Sequence, residues 1–204
     1  MQSVWGTLAS IDATYFSRRT KNLIEGVPAS TAPPECQQTV PTGFLVACNV
    51  GRADVQGVET GLTLQPLAGL TMRGSYTYLD FHVIGPMGQP GTLVARPHNT
   101  MATVVRYQHD ALFRPDDNID MTASVNYVGD RNDFTPTGFP PIANNPNYTV
   151  VGATVTYSFR VPIQYVQRAA VFGRVGNLFD RNYDDVLGFK SPPINGVVGA
   201  RMTF

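Results

Sequence analysis

Eight stretches of this sequence alternate apolar and polar residues with a period of two. In the last of them Ile194, Gly196, Val198, Ala200, Met202 and Phe204 share one parity, and Val197, Gly199, Arg201 and Thr203 share the other. Successive side chains of an extended chain point to opposite faces, so each stretch reads as a β-strand with one apolar side. The cleanest spans about 118–130, where Ile119, Met121, Ala123, Val125 and Tyr127 oppose Asp120, Thr122, Ser124 and Asn126. The others begin near residues 4, 47, 70, 98, 147 and 168, and the stretch over 168–177 has Phe172 on its polar parity beside Arg174. Long connections (about 21–43, 82–97, 131–146 and 178–193) alternate with short ones (66–69, 110–117 and 160–167), and Pro and Gly punctuate them. This predicts an all-β antiparallel fold of about eight strands.

Charges narrow the choice of architecture. Asp12, Glu59, Arg73, Arg106, Asp120, Arg174 and Arg201 lie in seven different strands, each on the parity opposite the apolar set. A soluble sandwich or barrel allows this, with the charged face in water. A transmembrane β-barrel also allows it, with the apolar face in lipid and the charged face toward the lumen. Two features favour the membrane. The polar parity is rich in Thr, Ser, Gly and Asn and poor in Lys. Aromatic residues also gather at strand ends, among them Trp5, Tyr15, Tyr76, Tyr78, Tyr107, Tyr127, Tyr157, Phe159 and Phe204, where interfacial girdles would sit. Arg or Lys on a lipid-facing midplane position costs roughly 2–4 kcal/mol, which enforces such segregation.

Composition agrees. Charged residues make up 15 % of the chain, below the roughly 25 % of soluble domains. Formal net charge is zero, so there is no footprint for nucleic acid. No apolar run approaches the ~18 residues of a membrane-spanning helix, so a span must be made of strands. The start, Met1-Gln2-Ser3-Val4-Trp5, lacks the basic and apolar regions of a signal peptide, which suggests that a longer protein precedes it. Cys36 and Cys48 share one Pro/Thr-rich loop and are either a local disulfide of an oxidising compartment or two free thiols.

Motifs for chemistry are missing. His82, His98 and His109 stand singly without ligand spacing. Asp180-x-Asn182-x-Asp184 begins like a calcium loop but has no mid-loop Gly and no closing Glu, so it reads as a polar outer loop. No nucleophile elbow, phosphate loop or zinc motif occurs. The expectation is a non-enzyme with no cofactor. Arg52, Arg73, Arg106, Arg174 and Arg201 read as lumen charges solvated by water and paired across strands, and Glu59 as part of the same polar network.

One ordered set of motifs adds a family. Asn177-Leu178-Phe179-Asp180-Arg181-Asn182-Tyr183, followed by a strand ending in Phe, resembles a signature of TonB-dependent outer-membrane receptors, cobalamin- and siderophore-receptor-like members above all. Ala13-Thr14-Tyr15-Phe16, Gln56-Gly57-Val58-Glu59 and Gly74-Ser75-Tyr76-Thr77-Tyr78 resemble earlier strands of that family. The resemblance implies a 22-stranded barrel with an amino-terminal plug that couples to TonB for energised uptake of a large scarce ligand. This chain would supply the last eight strands, without the plug. Phe204 and Met202 would then belong to the signal read by the barrel-assembly machinery, and outer-membrane lipid would contact the apolar face. Both chain ends are expected on the periplasmic side. Loops 26–47, 83–95, 132–146 and 181–193 are the expected ligand-contacting surface. Ser191-Pro192-Pro193 departs from the family's Pro-Gly-Arg before the last strand. The alternative is a self-contained eight-stranded barrel with a structural or adhesive role. Its Gly/Thr/Ser-rich inner face would fill that narrow lumen poorly.

Overall fold

The computed structural model describes residues 8–204 apart from 23, 30, 31, 33, 37–44, 50, 85–89, 92, 139, 141, 163 and 164. Trp5, expected at an end of the first strand, lies outside the described residues, as do parts of the first two long loops. Eight strands form one antiparallel sheet: β1 (Ala9–Lys21), β2 (Arg52–Leu67), β3 (Leu70–Ile84), β4 (Asn99–Asp110), β5 (Asn118–Val128), β6 (Tyr148–Phe159), β7 (Arg168–Gly176) and β8 (Asn195–Thr203). Each pairs with its neighbours in chain order, and the short Pro90–Gly91 segment adds to β3. Among the described residues no strand pairs with the outer edge of β1 or of β8, so the sheet is open.

The register gives the tilt. Leu70, the first residue of β3, lies level with Tyr107, Met121, Val155, Gly173 and Val198 in turn. Five residues of β8, Gly199 to Thr203, extend beyond that level. The turn edge therefore slips by five residues over five strands, one residue per strand. With a rise near 3.3 Å and a strand spacing near 4.7 Å, this slip corresponds to a tilt of about 35°, the range of membrane barrels.

Packing decides between the two architectures. A soluble sheet must cover its apolar face with a second layer. Here the apolar parity stands bare: Ile11 is 79 % and Val198 87 % exposed, and Leu62, Met121, Val155, Val171 and Met202 are exposed with them. Among the described residues no layer packs on this face. Such a continuous apolar surface belongs in lipid.

The short connections form one end. Between β2 and β3 the turn is only Ala68-Gly69, tighter than the sequence suggests, because β2 continues through a bulge between Leu64 and Leu67 that accommodates Pro66. Gly69 has φ +79°, and a Cβ there would lie 2.0 Å from the Gln108 carbonyl oxygen. Glycine is required twice over at this point. The long connections form the other end and carry hairpins of their own: Ile24–Pro28 with Leu45–Asn49, Arg131–Phe134 with Ile142–Asn145, and Asp184–Val186 with Phe189–Lys190. The first includes the Cys36–Cys48 disulfide, Cα–Cα 5.4 Å, and Val46 and Ala32 of the same connection are buried.

Candidate functional site

Two surfaces carry polar side chains: one face of the sheet, and the loops above it. Cross-strand pairing fixes the first. Asp12 lies opposite Gly61, Glu59 opposite Thr14, Arg73 opposite Thr63, Asp120 opposite Gln108, Arg106 opposite Thr122, Arg174 opposite Thr154 and Arg201 opposite Ala170. Directly opposed residues share a face, and the rows connect all seven charges to the same face. Only two of the seven touch. Arg106 donates to both oxygens of Asp120, with Nε at 3.1 and 3.0 Å and a further short contact from Nη2, and Gln108 Nε2 adds a bond of 3.2 Å. The other five form no ion pair among the described residues. Asp12 sits over Gly61, where a Cβ would come within 2.4 Å of its carboxylate.

Arg52 departs from expectation. It stands an odd number of residues from Glu59 along an unbroken register, so it projects from the opposite, apolar-parity face. There its guanidinium binds Asp54 at 2.9 Å, and Arg19 binds the same carboxylate at 2.8 Å. Gln56 joins Tyr15 and Asp80 beside them. The reason is length. Strands β1, β2 and β3 have 13, 16 and 15 residues, more than the 9–11 that span a bilayer. Apart from Ile84 at the end of β3, apolar residues on this parity stop at the level of Tyr15, Val58 and Tyr78, and charge begins above it. The switch was legible in Arg19 and Asp54, which interrupt the alternation.

At the long-loop end the signature stretch acts as a clasp. Asn177, buried and at φ 49°, donates from Nδ2 to the carbonyls of Arg181 (2.9 Å) and Pro192 (3.1 Å) and accepts from the Arg181 N–H (2.8 Å). Asp180, also at φ 49°, accepts the Ile194 N–H at 2.8 Å. Asn and Asp tolerate the left-handed region better than other side chains. Tyr183 reaches the start of β6 and packs on Tyr148 with centroids 4.3 Å apart.

That contact belongs to a buried polar network which the sequence did not disclose. Tyr148 Oη donates to Asp185 at 2.6 Å, and Arg131 donates to the carbonyls of Asp184 and Asp185 at 3.3 and 2.6 Å. The Asp133 carboxylate accepts from the Leu187 N–H (3.0 Å) and from Asn145 Nδ2 (3.3 Å). Asn145 is 1 % exposed, and Arg131 and Asp133 are buried with it. These bonds join two of the four loops expected to contact a ligand, 132–146 and 181–193, into one body. Their charges and amides sit in loops without periodicity, so no pattern could have grouped them.

At the turn end Asp117, only 2 % exposed, binds the backbone N–H groups of Leu112, Phe113 and Arg114 at 2.7–3.0 Å and the Tyr157 hydroxyl at 2.6 Å. Burial pushes its carboxyl upward. The Tyr157 bond and the three backbone donors outweigh this and hold it below the usual carboxylate range.

A family model described as TonB dependent receptor-like, beta-barrel matches residues 4–178. No curated protein matches the chain. Among solved structures, the pyoverdine outer membrane receptor FpvA of Pseudomonas aeruginosa PAO1 superposes with a TM-score of 0.65 at 16 % identity, over 97 % of this chain and 27 % of that one. The ferric-catecholate import receptor Fiu of E. coli K12 gives 0.62 at 18 %, over 98 % and 26 %. BauA, the ferric preacinetobactin receptor of Acinetobacter baumannii, gives 0.62 at 14 %, over 94 % and 26 %. The chain spans about a quarter of the length of each.

Proposed function

The chain belongs to the TonB-dependent receptor-like β-barrel family, and from that premise we propose that it forms part of the wall and outer loops of an outer-membrane receptor for energised uptake of a large scarce ligand, a ferric siderophore in the first place. The observation that carries this reading is the open, tilted sheet with one lipid-ready face. Eight strands whose two edges stay unpaired would leave rows of backbone N–H and C=O groups without partners in a bilayer, each costing several kcal/mol. Such a sheet calls for further strands. The reading therefore takes β1 and β8 as the seams where the rest of a larger barrel joins, and the polar face with its seven charges as lumen wall. A receptor and transporter wall needs no catalytic group.

The test is transport. In a Gram-negative host whose other iron receptors are deleted, the gene encoding this chain, with its flanking reading frame, is expected to support uptake of iron-55 delivered as ferric pyoverdine or a ferric catecholate. Uptake should vanish when residues 1–204 are deleted and when the proton-motive force is collapsed. Uptake indifferent to both treatments would overturn the reading. So would a chain that is folded and monomeric in detergent-free buffer.

A further inference from the structure

Three arginines of the polar face have no acidic partner among the described residues. Arg168 and Arg174 of β7 and Arg201 of β8 line one depression of about 550 Å³, with Thr154, Thr156 and Phe172 among its other walls. The register explains the grouping. Arg174 lies opposite Val197, Phe172 opposite Gly199, Arg201 opposite Ala170 and Arg168 opposite Thr203. Arg168 and Arg201 are thus diagonal neighbours, and Phe172 fills the row between Arg174 and Arg201. Its ring passes over Gly199, where a Cβ would come within 2.5 Å of Cζ. That close approach keeps a bulky aromatic from closing the depression. The ion pairs among the described residues lie elsewhere, at Arg19–Asp54, Arg52–Asp54 and Arg106–Asp120.

We propose that this depression is a binding site for a multiply charged oxyanion on the polar wall. Guanidinium groups do not shed their protons, so three of them on adjacent strands keep a fixed positive charge that only an anion or water can answer. Their forked donors suit the paired oxygens of carboxylate or phosphate, and the hydroxyls of Thr154 and Thr156 supply neutral donors beside them. Arg106 is the internal contrast. It stands on the same face, and Asp120 occupies its donors. The inference rests on the sheet and its register alone, so its failure would leave the receptor reading intact.

The experiment titrates the full chain, extracted folded in detergent, with citrate and with pyrophosphate at low ionic strength, and reads the affinity by calorimetry. Saturable binding of either is expected, with acetate far weaker. Binding of citrate alone identifies a carboxylate ligand, and binding of pyrophosphate alone a phosphate ligand. R174Q and R201Q should each weaken binding about tenfold, in line with the loss of charge-assisted hydrogen bonds. R174K and R201K should lose less, and R106Q should change affinity less than about twofold by the same reasoning. Far-UV circular dichroism and heat-modifiable migration identify variants that remain folded. An equal loss in folded R106Q, or no saturable binding of either anion by the folded parent chain, overturns the proposal.

Discussion

The two ends of the sheet are closed by different chemistry. At the turn end the side-chain bonds of Asp117 are mostly short in sequence: it caps N–H groups three to five residues before it, and only Tyr157 reaches it from afar, 40 residues away. At the long-loop end the same kinds of bond join residues far apart. Tyr148 and Asp185 are separated by 37 residues, and Arg131 and Asp185, like Asp133 and Leu187, by 54. Closing a short loop loses less chain entropy than closing a long one. The turn end can therefore form hairpin by hairpin, whereas the last two long loops order together or not at all. A surface built in this way is held by local contacts below and by long-range ones above.

The largest effect should come from the turn end. Gly69→Val forces a β-branched residue to φ +79° and drives its Cβ into the Gln108 carbonyl. Strain and overpacking together predict a loss of about 4 kcal/mol. Thermal unfolding of the chain in detergent micelles reads this, and a loss below about 1 kcal/mol would mean that the turn can relax away from β4. Asn177→Leu comes next, at the loop end. It leaves the Arg181 and Pro192 carbonyls without donors and should cost about 3 kcal/mol. The cost should appear as faster hydrogen exchange over residues 178–194, with β1 to β3 unchanged. If exchange quickens throughout the sheet, the contrast between the two ends is wrong.

How much of this was legible beforehand follows the same division. The eight strands and the shared face of Asp12, Glu59, Arg73, Arg106, Asp120, Arg174 and Arg201 were readable, because period-2 alternation is a backbone property that survives any choice of loop. Arg52 was misplaced because the reading treated strand two as spanning membrane along its whole length. The reversal of polarity at Arg19 and Asp54 marks where β1 and β2 leave the apolar band. Arg131, Asp133 and Asn145 could not be grouped, since their partners are mostly backbone atoms of another loop and carry no side-chain signature. Asn177 and Asp180 were visible only as part of a motif. Their task, clasping the last loop through left-handed turns, is a matter of geometry.

Acid should loosen the Asp117 turn. Native contacts hold the Asp117 carboxyl below its unfolded range. A depressed native pKa contributes stability above the unfolded value and loses it as pH falls through the native one. The 111–117 turn should therefore be indifferent to pH from neutrality down to about 5, the region above the unfolded Asp value, and should weaken below about 4. Asp117→Asn should abolish that dependence and leave the turn weak at every pH. Hydrogen exchange of Leu112, Phe113 and Arg114 measures it, and an unaltered acid profile in the variant would assign the dependence to another group.

The smallest effect tests the coupling between loops. Tyr148→Phe removes the hydroxyl bonded to Asp185 at 2.6 Å and leaves the ring that packs on Tyr183. The lost bond ties the start of β6 to the last long loop beside the Arg131 and Asp133 bonds, so both loops should loosen together by about 1 kcal/mol, the usual net worth of such a bond. Exchange over 131–145 and over 183–190 should rise by the same factor, while the Asp117 turn stays as protected as before. Loosening confined to one of the two segments would show that Arg131 and Asp133 alone hold the loops as a unit. In that case the hydroxyl does not couple the loops, and the coupling at this end is narrower than the network of bonds implies.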